Sequence, residues 1–379
     1  MEEKVIGYLT ENPNLFIEPK FINKLYLDEY NTSDNKKEFD ENIYIWLSKY
    51  DKHRSETTYQ YSEKLNLESK IKYLMDLPQP IQRTPEWFEL RQNHLTGTSI
   101  SNIFDTTASL NRLIFEKCKP IDLNKFKPSL SENSMTWGHK YEPVTGMLYE
   151  KFNNTKISDF GCIKHPIYDF LAASPDGIVT GENNYGRMIE IKNVVSRVID
   201  GIPIKDYYIQ MQIQMEVCDL NECDFIETKF TELENREEYE KEKDREKGII
   251  VVFVKNCEEF IYEYMPLDIT NYEEWIDETL LKYELDNTVE WFKYIYWRLD
   301  IYSCVLVKRR PEWFNFALSK IKDTWNIILK EKDTEEYLKR APKKRVKKET
   351  NEMKDEMDEL EKSNGEYIPL VSKCLVKNI

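Results

Sequence analysis

No stretch of this 379-residue chain approaches the ~20 consecutive apolar residues that a membrane-spanning helix needs. Its start, MEEKVIGYLTENP, is acidic where a secretory signal would be basic and then apolar. The expectation is a soluble protein with no membrane partner. Cysteine is sparse and odd in number: Cys118, Cys162, Cys218, Cys223, Cys257, Cys304 and Cys374. That argues against a disulfide framework and predicts free thiols in a reducing, intracellular compartment. Cys162-x-x-His165 and Cys218-x4-Cys223 each resemble half a zinc site, but neither has a second half at suitable spacing. Alanine (five) and glycine (11) are scarce beside 24 tyrosines, a composition compatible with an AT-rich genome. Cations are also short, 54 Lys and Arg against 69 Asp and Glu, for a net charge of −15. On its face that argues against a phosphate-bearing partner. The deficit is local, however. Residues 216–299 hold 24 acidic and 10 basic side chains, whereas 76–215 hold 16 and 15.

What is present is 40% hydrophobic and 32% charged, as in a globular chain of one large or two smaller domains. Residues 1–76 read as a helical N-terminal extension of short amphipathic segments. A core over 77–268 follows. Thr84-Pro85-Glu86 is a helix start, with Thr as N-cap and Pro at the first turn. Thr96-Gly97-Thr98-Ser99 predicts another helix running through Ile100, Ile103 and Phe104. Trp137–Phe152 predicts a third. Strand-like runs at 162–173, 187–194, 223–230, 249–254 and 260–265 are interrupted by the helical stretch Asp206–Val217, which indicates an α/β (α+β) core. The charge run 232–247 predicts a solvated helix or loop. Residues 269–340 read as a helical C-terminal segment, and 341–379 as a charged, flexible tail. That tail includes Pro342-Lys343-Lys344-Arg345-Val346-Lys347-Lys348, a patch of nuclear-localisation or nucleic-acid type, or simply a solvated run. Pro-Glu-Trp-Phe occurs at 85–88 and 311–314, both read as helix N-termini.

The stretch that carries chemistry is 174–192. Ser174-Pro175-Asp176-Gly177 follows an apolar strand, and Glu190-Ile191-Lys192 lies inside the apolar run Met188–Val194. Side chains alternate along a strand, so Glu190 and Lys192 share one face and Ile191 points to the other. A hairpin would bring Asp176 to the same place. Charges inside an apolar strand are costly unless paired or metal-bound. Hard carboxylate oxygens suit Mg²⁺ or Mn²⁺, which could activate water against a phosphodiester, with the lysine orienting the water or stabilising the transition state. Taken alone, the three residues read first as an Asp-Gly turn and an edge strand with a Glu–Lys ion pair, because the pattern is short and common.

Their surroundings decide between these. Gln82-Arg83-Thr84-Pro85-Glu86-Trp87, Arg91, Thr96-Gly97-Thr98-Ser99, Trp137-Gly138-x-x-Tyr141-Glu142-Pro143 and Asp206 through Gln212 occur in this order around the pair of strands. Together they resemble the phage lambda exonuclease and YqaJ-type viral recombinase nucleases of the PD-(D/E)xK superfamily, over about residues 80–230. The composition is compatible with a giant-virus member such as a mimivirus one. The resemblance implies a restriction-endonuclease-like core, with a central mixed sheet flanked by helices and helical additions at both ends. It implies that Asp176, Glu190, the Ile191 carbonyl and Glu142 bind Mg²⁺ or Mn²⁺, two ions per site. Lys192 would be the catalytic lysine and Gln210 the active-site glutamine, with Gln212 a less certain neighbour. Arg91 would bind the 5′-phosphate of the digested strand, with Thr96 and the Thr98 hydroxyl, or alternatively Ser99. The implied activity is 5′→3′ digestion of linear double-stranded DNA in recombination, repair, replication or viral defence. The competing readings are a PD-(D/E)xK endonuclease, a silent DNA-binding protein on the same fold, and a helical interaction protein. Implied partners are duplex DNA with 5′-phosphate ends, further copies of the chain in a ring trimer or a dimer, and a single-strand annealing protein or helicase. Implied locations are host cytoplasm, viral factory or virion, with the nucleus as the alternative that the basic tail suggests.

Overall fold

The computed structural model describes residues 61–126, 130–131 and 133–342. Most of the N-terminal extension and the basic patch in the tail therefore lie outside the described residues. Helix α1 (Tyr61–Asp76) leads into a loop and then α2 (Pro85–Gln92), where Thr84 caps the Trp87 N–H and Pro85 occupies the first turn, as expected. A two-residue strand β1 (Leu95–Thr96) precedes the single helical turn α3 (Gly97–Ile100) and a 3₁₀ turn over Ser101–Phe104. Helices α4 (Thr107–Cys118) and α5 (Ser134–Asn153) follow. The expected strand over 162–173 is two short pieces, β3 (Ile163–Lys164) and β4 (Leu171–Ala173), after β2 (Ile157–Ser158). With β1 they make a three-stranded sheet in the order β1-β4-β3.

The main sheet has seven strands. After β5 (Gly177–Val179) and β6 (Met188–Asn193) comes α6 (Lys205–Cys218), then β7 (Glu222–Leu233), α7 (Arg236–Lys241), β8 (Lys247–Lys255) and β9 (Glu259–Tyr264). Beyond them lie α8 (Tyr272–Leu281), β10 (Val289–Lys308) and α9 (Pro311–Thr334). The strand order is β2-β5-β6-β7-β10-β8-β9. Only β6 and β7 pair in parallel, because α6 carries the chain back over the sheet between them. All the other pairs in this sheet are antiparallel. The result is the mixed α/β architecture expected, with helices against the sheet. Among the described residues no helix is long and apolar enough to cross a membrane.

The helical reading of 269–340 is overturned between Val289 and Lys308. These twenty residues form one strand in the middle of the sheet, pairing with β8 over its first half and with β7 over its second. The composition explains why: Val, Ile, Trp, Tyr and Phe favour a pleated surface. Ile295, Trp297 and Leu299 alternate inward against Tyr141, Val144 and Leu148 of α5. Register shifts near Lys293 and Ile301 break the alternation, which hides the period of two from a sequence scan. A boundary at residue 268 would therefore divide a single sheet. The charge run is helical in part, with Arg236–Glu240 and Lys241–Glu237 pairs on its exposed surface. Both Pro-Glu-Trp-Phe segments begin helices, α2 and α9.

Candidate active site

Asp176 stands just before β5, and β5 pairs antiparallel with β6, so Gly177 lies opposite Ile189. The close approach requires glycine at 177, where an added Cβ would meet Ile157 Cγ2 at 2.4 Å and Ile189 Cδ1 at 3.1 Å. The turn before it is tied from three sides. Trp87 Nε1 donates to Ser174 Oγ at 3.1 Å, Gln82 Nε2 to the Pro175 carbonyl at 3.4 Å, and Gln214 Nε2 to the Ser174 carbonyl at 3.1 Å. Asp176 Oδ2 then accepts the Ile191 N–H at 2.7 Å. The hairpin foreseen from the spacing thus forms and brings Asp176 to the strand of Glu190 and Lys192.

Glu190 is fully buried. Its Oε1 pairs with the Lys192 ammonium and its Oε2 accepts from Gln214 Nε2 at 2.9 Å. Burial works against the charge on Lys192, but Glu190 and Asp176 outweigh it and raise its pKa above the ordinary lysine range. Asp176 is pushed well above the usual carboxylate range, first by burial and then by Glu190, with a further contribution from Glu142. Glu142, on α5, is raised chiefly by burial; Arg83 opposes this and Glu190 adds to it. Arg83 Nη2 reaches Glu142 Oε2 at 3.1 Å from a left-handed backbone (φ 68°), a conformation that costs a non-glycine residue about 1 kcal/mol. Asp176 and Glu142 are thus each raised in part by the Glu190 carboxylate. Among the described residues, no three acidic, histidine or cysteine side chains are gathered closely enough to hold an ion outright. The site fits a hard divalent cation by its chemistry: carboxylate oxygens and a backbone carbonyl on β6, buried and mutually repelling.

Among the glutamines of α6, Gln214 makes the contact with Glu190. Gln210 lies one turn earlier on the same face of α6 and packs on Gly97, where an added Cβ would come 3.2 Å from Gln210 Cγ. Gln212 serves the fold: it donates to the Lys308 carbonyl at 2.9 Å and accepts the Arg310 N–H at 2.6 Å, tying α6 to the end of β10. Sequence reasoning missed Gln214 because glutamines alternate with apolar residues here, and only the helical period pairs 210 with 214. Gln214→Leu should lower the unfolding free energy by about 1–3 kcal/mol by leaving Glu190 Oε2 without its donor. Gln210→Leu should cost less. Urea midpoints of the two variants check this, and the reverse order would refute the assignment.

Beside the acids, Arg91 at the end of α2 lies over the Trp87 ring, 4.3 Å from its centroid, and donates from Nη2 to Thr98 Oγ1 at 2.9 Å. Burial lowers the Arg91 pKa, while Cys162, Asp176 and Glu190 act in the opposite direction. Thr96 Oγ1 is 3.3 Å from Thr98 Oγ1. Ser99 is turned away: its hydroxyl donates to the Thr96 carbonyl and accepts the Thr96 N–H, both at 2.9 Å. The helix expected from Thr96 through Phe104 is only one α turn before it tightens to 3₁₀. It is too short for a summed helix dipole, so anion binding here rests on Arg91 and the hydroxyls rather than on a helix N-terminus. The half-sites suggested for zinc are engaged otherwise. His165 Nδ1 accepts the Ile167 and Tyr168 N–H groups at 3.0 and 3.1 Å. Cys162, Cys218 and Cys223 are buried thiols whose pKa values burial raises.

An Asp ahead of one strand and Glu-x-Lys inside the next, on a mixed sheet between helices, resemble the α/β arrangement expected from the sequence. More particularly, residues 86–221 match the model of the YqaJ-like viral recombinase domain, a span that includes every residue from Arg91 to Gln214 described above. An uncharacterized protein of Acanthamoeba polyphaga mimivirus is 28% identical over 315 residues, 72% of this chain and 56% of that protein. The chain thus spans little more than half the length of that relative. The crystal structure of an alkaline exonuclease (LHK-Exo) from Laribacter hongkongensis aligns with a TM-score of 0.41 and 19% identity, over 68% of this chain and 97% of that one. Its complex with dAMP aligns over the same shares, with a TM-score of 0.39 and 19% identity.

Proposed function

We propose that this chain is a metal-dependent deoxyribonuclease that digests linear duplex DNA from a 5′-phosphorylated end. The observation that carries this reading is the Arg91–Thr98 pair set beside the Asp176–Glu190–Lys192 strand pair, an anion-binding group next to a buried acid–lysine cluster. Asp176, Glu190, the Ile191 carbonyl and Glu142 would hold Mg²⁺ or Mn²⁺. Such an ion, when bound, supplies charge neutralisation and an acidified water. The rest belongs to the chain. Lys192 directs its ammonium at the reacting phosphate, where charge develops in the transition state. Gln214 fixes the Glu190 carboxylate, and Arg83 fixes Glu142. Arg91 offers a planar fork of donors to a terminal phosphate, with the Thr98 hydroxyl beside it. A terminal phosphate carries more negative charge than an internal phosphodiester, so this pocket favours ends. Removal of one nucleotide recreates the same end for the next cycle.

Family resemblance is the basis for proposing a ring of chains around the duplex. Buried, unbridged cysteines among the described residues accord with work in a reducing compartment. With Mg²⁺, an end-labelled linear duplex should be degraded and a covalently closed circle of the same sequence left intact. Digestion of the closed circle would replace the exonuclease reading with an endonuclease. Chelating the metal should abolish the reaction on either substrate.

A further inference from the structure

Lys192 lies opposite Glu227 in the parallel register of β6 and β7. Paired residues on neighbouring strands share a face of the sheet, so Glu227 stands on the side of Lys192, one strand further in. Glu227 is fully buried. Its Oε1 pairs with Arg197 Nη2, and its Oε2 has no partner among the described residues. A carboxylate buried under one end-on contact is an unfavourable arrangement unless the ion pair has another use. A guanidinium committed to stability would close on both oxygens in a fork.

Arg197 lies in the connection 194–204, which leaves β6 just past Lys192. Its guanidinium is 5.6 Å from the centroid of the Tyr207 ring, and the Lys192 ammonium is 4.8 Å from the same centroid. The Arg197 side chain remains 32% exposed. A guanidinium carries five N–H donors, and the contact with Glu227 engages one edge of it. On either side the connection exposes Val195 and Val198, at 49% and 83%. Arg197 is therefore tethered on one edge, laid on an aromatic ring and open on the other edge. It is the neighbour of the lysine that faces the reacting phosphate.

We infer that Arg197, tethered by Glu227 and oriented by Tyr207, binds the phosphodiester next to the scissile one on the digested strand. The inference rests on the nuclease reading above. Two cations around one ring suit two successive phosphates of one strand. The second contact holds the strand in register while its end is removed. Glu227 is a positioning residue that acts through Arg197.

The test uses the full chain and 5′-phosphorylated duplexes in which a single methylphosphonate removes the charge of the first, second or third linkage. Binding is followed by fluorescence anisotropy in Ca²⁺, under conditions where no hydrolysis is detected. With the unaltered chain, one of the three neutral linkages should weaken binding about ten-fold. Arg197→Ala should weaken binding of the all-phosphate duplex by a similar factor and no longer respond to that linkage. Because this change strands a buried charge, the double variant Arg197→Ala/Glu227→Gln is measured beside it and should behave in the same way with an unchanged circular dichroism spectrum. Glu227→Gln alone should show a reduced response. Losses that simply multiply at all three linkages would overturn the assignment of Arg197 to a phosphate. A chain that neither binds nor cuts any duplex would overturn the nuclease reading instead.

Discussion

Lys192→Ala is expected to slow cleavage of end-labelled duplex by roughly 10²–10³-fold while changing duplex binding little. The ammonium is held against Glu190 and lies within electrostatic reach of Asp176. Without it, nothing of positive charge on β6 would face the phosphorane of the proposed reaction. The change also frees Glu190 Oε1 inside the protein, leaving Gln214 as its donor. The variant should therefore unfold at lower urea than the parent. Added Mg²⁺ should restore more stability to the variant than to the parent, because the freed oxygen becomes available to the ion and an ion that binds only the folded state stabilises it. Cleavage at the parental rate would refute the site. Equal stabilisation of both chains by Mg²⁺ would show that Glu190 is not among its ligands.

Arg91→Ala should reduce digestion of 5′-phosphorylated ends by about 10–100-fold, the worth of one or two charge-assisted hydrogen bonds in a buried setting. Digestion of 5′-hydroxyl ends should fall by less than about three-fold on the same scale. The distinction arises because Arg91 meets Thr98 rather than the carboxylates of Asp176, Glu190 and Glu142. Thr98→Val should move selectivity in the same direction by a smaller factor, and Ser99→Ala should leave it unchanged, since the Ser99 hydroxyl serves the Thr96 backbone. The rates of the two kinds of end, compared in one assay, decide the matter. Equal losses on both would make Arg91 a structural residue or a general backbone contact.

Much of this site was legible in the sequence because strand alternation is a strict rule. Glu190 and Lys192 had to share a face, and an Asp-Gly turn fourteen residues earlier had to meet them if the strands paired. Thr84-Pro85 announced a helix start by local chemistry alone, and the helix formed there. Other features depend on partners distant in the chain. Gln214 was indistinguishable from Gln210 until the direction of α6 over β6 was known. The Arg83–Glu142 pair joins residues 59 apart through a left-handed backbone, which no local pattern announces. The helix after Thr96 was cut short by the tightening of the chain at Ser101. The aromatic run of β10 read as helix because its two bulges break the period of two, although its β-branched and aromatic content pointed to a strand.

The central position of β10 also orders events in time. The chain is made from its N-terminus, and β7 and β8 are both complete by Lys255, 53 residues before β10 ends at Lys308. Until that strand arrives, the two face each other across an empty lane, each with an unpaired backbone edge. Closure of the sheet must wait for a long-range insertion, the slow kind of folding step. Any fragment that ends near residue 268 keeps every acid and the lysine of the site, yet leaves both edges open to other chains.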